Sequence, residues 1–181
     1  MKPKKITLKF LERNDARQED IDEVTEWGLL GLPADRFVKG LIEHDKFYYA
    51  NWLIITLLSS KKQEVVYAAH ATELILAVYS PGEYTDESEK ALRAAKAYIR
   101  NPSKRTAAAA AAVVDAIPFD SIYNPAACAA YNTAYAASSK PYYNTRGAYA
   151  AVCYAIDAAE RIGNNILKVR IIKYGLDLLL K

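Results

Sequence analysis

The chain has 181 residues, 52% of them hydrophobic and 25% charged, proportions that fit one folded domain with a sizeable core and exclude wholesale disorder. Its formal net charge is only +3, which argues against nucleic acid as the main partner. No uncharged run approaches the about 18–20 residues that span a bilayer; the longest apolar stretch, residues 52–58, reads as a buried core helix, so no membrane is expected.

The opening Met1-Lys2-Pro3-Lys4-Lys5 lacks a following apolar leader segment, and a cytoplasmic protein is expected. Ile6, Leu8 and Phe10 alternate with Thr7 and Lys9, a period of two that predicts a short strand, either an edge for a partner or an extended lead-in. Beyond residue 11 the pattern is helical. Asn14 or Asp15 can cap a first helix whose inner face carries Ile21 and Val24. Between residues 12 and 26 stand seven acids, Glu12, Asp15, Glu19, Asp20, Asp22, Glu23 and Glu26, against Arg13 and Arg17. They read as a solvated face or as an acidic patch offered to a basic partner. The glycines 28 and 31 break this helix, and Pro33 suits the start of the next, with Phe37, Leu41 and Ile42 inward. A helix over 45–59 is apolar nearly all round and should be central. Another follows Lys61-Lys62 and ends before Ser80-Pro81-Gly82.

Asp86 with Glu89 has capping-box spacing for a helix that buries Leu92, Ala95 and Ile99 and stops at Asn101-Pro102. Ser103 starts a helix holding six consecutive alanines, 107–112. Asn124-Pro125 opens a further alanine-rich helix, and a third runs from about Thr145 to Arg161. Alanine lets helix backbones approach closely; Tyr131, Tyr135, Tyr149 and Tyr154 are candidates to fill the remaining gaps. After Gly163-Asn164 the last helix should bury Ile166, Val169, Ile172, Leu176 and Leu179. The expected fold is all-α: one domain over 1–181, a compact bundle or array of about eight helices, alanine-rich in its C-terminal half, with the short N-terminal strand before it.

Chemistry-bearing residues are few. Cys128 and Cys153 form no C-x-x-C pair and read as buried thiols in a reducing compartment. His44-Asp45 matches the HD pair of metal-dependent phosphohydrolases, which need several more His and Asp ligands; the chain has one other histidine, His70. His70 and Glu73 share a helix face at i and i+3 and read as a structural polar pair, although Glu64, Asp115, Asp157 and Glu160 leave a shared metal as an alternative. Phosphate-cradling glycine loops and nucleophile elbows are absent from the sequence. The expectation is a non-enzyme with no cofactor and no metal.

Residues 67–101 carry a recognisable pattern. Tyr67-Ala68-Ala69, Glu73, Ile75 and Leu76 are followed by Asp86, Lys90-Ala91-Leu92, Ala94-Ala95-Lys96 and Tyr98. Together with the segment from Ala150-Ala151 through Tyr154-Ala155 to Ala158-Ala159, this resembles a family of alanine-rich helical immunity proteins from bacterial polymorphic-toxin systems, including phage-encoded members. The resemblance spans about 67–160; residues 1–60 supply N-terminal helices outside it. Ser88-Glu89 stand where the family has arginine-proline. The resemblance implies a protein partner: a toxin, a nuclease or a defence effector neutralised by occlusion. Phage inhibition of a CRISPR or restriction nuclease, with the acids at 12–26 mimicking nucleic acid, is the second reading. A small-molecule binder between the alanine-rich helices is the third, and a metal-dependent hydrolase the last. Tyr84, Tyr142 and Tyr143 in loops, with Glu19, Asp20 and Glu23, are the candidate partner-binding residues.

Overall fold

The structure, a computed structural model, describes residues 4–78, 86–117, 125–138 and 144–180. Among these it is all-helical. The elements are α1 (Leu8–Arg13), α2 (Gln18–Glu26), α3 (Ala34–Glu43), α4 (Phe47–Leu57), α5 (Lys61–Leu76), α6 (Asp86–Arg100), α7 (Lys104–Ala116), α8 (Pro125–Ala137), α9 (Asn144–Arg161) and α10 (Asn165–Leu180). None of the helices among the described residues is long and apolar enough to cross a membrane.

The expected N-terminal strand is replaced by an extended lead-in and the additional helix α1. Thr7 caps α1, its hydroxyl accepting from Phe10 N at 3.3 Å. Ahead of it, Lys4–Ile6 runs antiparallel to residues 31–34. Ile6 N donates to Leu32 O at 2.9 Å, and Gly31 N returns a bond to Ile6 O at 2.7 Å. Ile6 is fully buried while Leu8 is 44% exposed, so the alternation does not continue: a helical turn follows the single buried residue. Asn14 and Asp15 do not cap α2, which begins after Arg17 without a side-chain cap. Asn14 instead closes α1, donating to Phe10 O. Asp15 takes a left-handed turn at φ 57°, a conformation that aspartate tolerates better than most residues.

Most other boundaries follow from their caps. Pro33 precedes α3. The Ser60 hydroxyl accepts from Gln63 N at the start of α5. Ser103 and Thr106 form a reciprocal capping box on α7, and Asn164 accepts from Leu167 N ahead of α10.

The centre of the molecule is a three-helix packing of α5, α8 and α9. α6 and α7 cover α8 on one side; α4 and α10 pack against α9 on the other, with α3 outside α4. One apolar cluster runs continuously from Ile6 through Phe37, Ile54 and Tyr67 to Ile156 and Leu178. A smaller one joins Ala91, Val114, Ala130 and Ala134 beneath Tyr131 and Tyr135. Thr72 of α5 and Thr133 of α8 share a buried hydrogen bond of 2.8 Å, and Thr133 also bonds Ala129 O. This arrangement satisfies both hydroxyls inside an apolar contact.

The alanines act as close-approach residues on selected faces. On α7, Ala107 and Ala110 are buried and Ala109 is exposed; on α8, Ala126, Ala129, Ala130, Ala134 and Ala137 have no exposed surface. Leucine at Ala110 or Ala130 is expected to overpack and cost about 1–3 kcal/mol, whereas Ala109→Leu should leave urea stability unchanged. Three indistinguishable unfolding curves would show that these helices do not pack closely. Tyr131, Tyr135 and Tyr149 are half-buried as gap fillers, but Tyr154 is exposed.

α10 buries Ile172 and Leu176 and packs Val169 and Leu179 half-buried against the core, as its apolar spacing suggested, but it leaves Ile166 outside. Ile166 is 75% exposed, and the buried side carries Leu167, Lys168, Ile171, Ile172, Gly175, Leu176 and Leu178. The physical reason lies at Gly175, whose Cα faces the ring of Tyr67 where a side chain would not fit.

Candidate functional site

Four aromatic residues converge on a cleft of about 480 Å³ between the α1–α2 turn, α4 and α9. Tyr48, Tyr49 and Trp52 come from α4; Tyr149 comes from α9; Asp15, Ala16, Arg17 and Asp20 form the opposite wall. Trp52 lies four residues after Tyr48 and three after Tyr49, so helical geometry brings all three to one edge of α4. The rings of Tyr49 and Trp52 are 5.4 Å apart and tilted by 42°.

The polar wall has one buried carboxylate. Asp20 receives Arg17 Nε at 2.9 Å and Nη2 at 3.1 Å, a forked pair of charge-assisted bonds. The two partners differ sharply in exposure: the Asp20 side chain is 11% exposed and that of Arg17 is 74%. Facing them, Tyr49 is only 6% exposed, and its buried hydroxyl has no hydrogen-bond partner. Burial, reinforced by the Asp20 charge, pushes its pKa up. Tyr149 is pushed up to about 12, first by burial and then by Cys153. Tyr48 is raised by burial and by donating its hydroxyl to Asp157. All three phenols therefore stay protonated through the physiological range, serving as hydrogen-bond donors and acceptors rather than as bases. Beneath them, Asn51 Nδ2 donates to Tyr149 O at 3.1 Å and to Cys153 Sγ at 3.4 Å, which fixes α9 against α4.

A second hollow of about 370 Å³ lies on the other side of Tyr48, lined by Asp45, Phe47, Ile156, Glu160, Asn165 and Lys168. Lys168 is buried, with its ammonium 4.7 Å above the Phe47 ring.

The residues singled out in the sequence distribute as follows. Asp20 is in the cleft. Glu19 is exposed on α2 beside it, and Glu23 pairs with Lys46 at 2.6 Å, joining α2 to the α3–α4 turn. Tyr84, Tyr142 and Tyr143 lie outside the described residues. Tyr48, Tyr49 and Trp52 were concealed in the run 47–58, whose hydrophobicity reads as core; the signal is the density of aromatics in Phe47-Tyr48-Tyr49 and Trp52.

The expected His70–Glu73 pair is redirected. Helical spacing places both on one side of α5, but each makes its direct contact with a partner from another helix. The His70 ring stacks on Tyr174 of α10 at 3.7 Å, and Glu73 pairs with Lys96 of α6. His44 similarly stacks on Trp27 at 3.8 Å, its plane within 4° of the indole. Among the described residues no three His, Cys, Asp or Glu side chains are grouped to hold a metal ion.

Burial lowers the His70 pKa, opposed by Glu73 and assisted by Arg170. The unfolded chain therefore binds a proton more readily than the folded one, and stability is lost as pH falls below about 6.5. His70→Gln should flatten that part of the profile. Thermal melts between pH 7.5 and 5 check this, and a slope identical in the variant would assign the acid sensitivity elsewhere. Comparison with protein-family models, with curated proteins and with solved structures finds no match to this chain.

Proposed function

We propose that the chain is a non-catalytic binding protein, acting in the cytoplasm, that neutralises a toxin or nuclease by occlusion. The observation that supports this reading is the cleft of Tyr48, Tyr49, Trp52 and Tyr149 beside the acidic face of α2. Tyrosine, tryptophan and arginine dominate binding hot spots because they combine large contact area with a polar tip. Here they line a concavity on the helix whose exposed acids Glu19, Asp22 and Glu26 attract a basic partner. A target supplied by a bacterial rival and a defence nuclease met by a phage are both basic-surfaced proteins in this reading, and the occluding mechanism is the same.

The concavity also supports a second reading, a small-molecule binder, since an aromatic cleft of this size can hold a metabolite as well as a side chain. The test begins with co-purification from the native host and continues with reconstitution. One equivalent of the purified chain should abolish the activity of the captured toxin or nuclease, and Trp52→Ala should weaken that inhibition at least about tenfold. Inhibition far below one equivalent would show turnover and overturn occlusion. A stoichiometric small molecule in native mass spectra, displaced in Trp52→Ala, would replace the first reading by the second.

A further inference from the structure

The cleft at Asp20 holds a buried carboxylate paired with an exposed arginine. Asp20 is one of the few buried charged groups among the described residues, and its cation, Arg17, is three-quarters exposed and comes from a neighbouring turn of the same segment. An exposed arginine gains little from such a pair, because solvent competes for it and its chain loses rotamer freedom. The carboxylate, by contrast, needs a cation at all times, because an unpaired buried charge is costly. A second guanidinium could take the place of Arg17 without Asp20 ever being left alone.

The surroundings select what that group is. Tyr49 lines the same cleft, and its buried, unpartnered hydroxyl can accept an N–H from a group that penetrates to it. The aromatic lining favours a flat cation, which gains from the negative π faces and stacks on them. An ammonium would present a point charge and match the two carboxylate oxygens less well. An anion is disfavoured: among the described residues Arg17 is the only cation lining the cleft, two of its donors are already on Asp20, and Asp15 stands alongside. Glu19, the exposed neighbour of Asp20 on α2, adds negative charge.

We propose that the cleft receives an arginine side chain of the protein partner, which displaces Arg17 from Asp20 and bonds the Tyr49 hydroxyl. This inference rests on the binding reading above. It makes Arg17 a placeholder that keeps the site charge-balanced while empty and competes with the incoming arginine.

The experiment is an NMR titration of the purified chain with a blocked pentapeptide carrying one arginine between glycines. The indole N–H resonance of Trp52, identified by its absence in Trp52→Phe, is the reporter; Trp27, stacked on His44, is the internal reference. The arginine peptide should shift Trp52 and not Trp27, while the lysine and citrulline peptides at the same concentration should not. Arg17→Ala and Arg17→Gln should bind the arginine peptide roughly two- to fivefold more tightly, because an exposed ion pair that competed for Asp20 is gone; a gain of affinity cannot arise from misfolding. Weaker binding in both variants would overturn the placeholder role, since Arg17 would then be a contact residue. No shift of Trp52, an equal shift with citrulline, or tighter binding of free arginine or adenosine monophosphate than of the peptide would overturn the proposal itself. The titration requires no target protein. Loss of this inference therefore leaves stoichiometric neutralisation standing, and absence of a neutralised target leaves the arginine site standing.

Discussion

Replacing Gly175 by alanine is expected to destabilise the protein by about 3 kcal/mol, the upper part of the range for an overpacked core. The added Cβ would lie 2.6 Å from Cζ and 2.7 Å from Cε2 of Tyr67, and 3.0 Å from Cγ2 of Ile54. Both neighbours are fully buried, on α5 and α4 respectively, so neither has a solvent side to swing into. Alanine is the better helix former by about 1 kcal/mol, yet that gain is smaller than the cost of parting three helices. Gly40 provides the comparison. A Cβ there approaches Leu29 Cδ2 at 2.5 Å, but that atom ends a flexible side chain, and Gly40→Ala should cost much less. Urea unfolding of the two variants gives the difference directly, and for a chain of this length about 3 kcal/mol appears as a Tm drop of roughly 6–12 °C. Adding Tyr67→Leu to Gly175→Ala should recover part of the loss; a Gly175→Ala protein as stable as the parent would mean that α10 does not lie against Tyr67 and Ile54.

Gly175 also explains why the inner face of α10 was legible only in part. The segment from Ile166 to Leu180 carries apolar residues at nearly every second or third position, so two stripes about a quarter-turn apart satisfy the same helical period. Spacing placed Ile166, Val169, Ile172, Leu176 and Leu179 on the inner side, and of these Ile166 alone is fully outside. Packing chooses the stripe through Ile171 and Gly175, because only glycine fits beneath Tyr67, and it carries Lys168 inward with its ammonium over Phe47. Boundaries, by contrast, were legible wherever a residue has a local mechanism. Ser103, Pro33 and Gly163-Asn164 act on their own backbone, and the helices start or stop beside them. The N-terminal segment failed for the opposite reason. Its partner, residues 31–34, is remote in sequence, and a pairing of that kind leaves no periodic trace in five residues.

The candidate site was half visible in the same sense. Asp20 stood out as an acid, but nothing local reveals that it alone of that cluster is buried and held by Arg17. Tyr48, Tyr49 and Trp52 were hidden by the very hydrophobicity that makes α4 central: a helix that is apolar all round does not announce which edge meets a cavity. His70 and Glu73 show the limit from the other side. Their spacing was sufficient to place them on one face of α5, yet which contacts they make depends on Tyr174 and Lys96 from helices far away in sequence.

The second large effect is expected at Gly147, where α9 crosses α8. A Cβ on Gly147 would stand 3.0 Å from Ala136 N, 3.2 Å from Ala136 Cα and 3.2 Å from Asn132 O. All three are backbone atoms of a hydrogen-bonded helix, so no rotamer change relieves the contact and the helices themselves must move apart. Alanine needs only a few tenths of an ångström, and its helix propensity offsets much of that cost. Leucine is different, because its branch atoms would enter the space held by the α8 backbone itself. Separation there also opens the adjoining contact, since Ala148 and Ala151 on α9 and Ala136 and Ala137 on α8 are buried with nothing longer than a methyl group to fill a gap. Gly147→Leu is therefore expected to cost about 3 kcal/mol or more, while Gly147→Ala stays within about 1 kcal/mol of the parent. Chemical denaturation across glycine, alanine and leucine at this position tests the claim. A steep fall between alanine and leucine fits two backbones in contact, and a flat series would show that α8 and α9 are held apart by larger side chains after all.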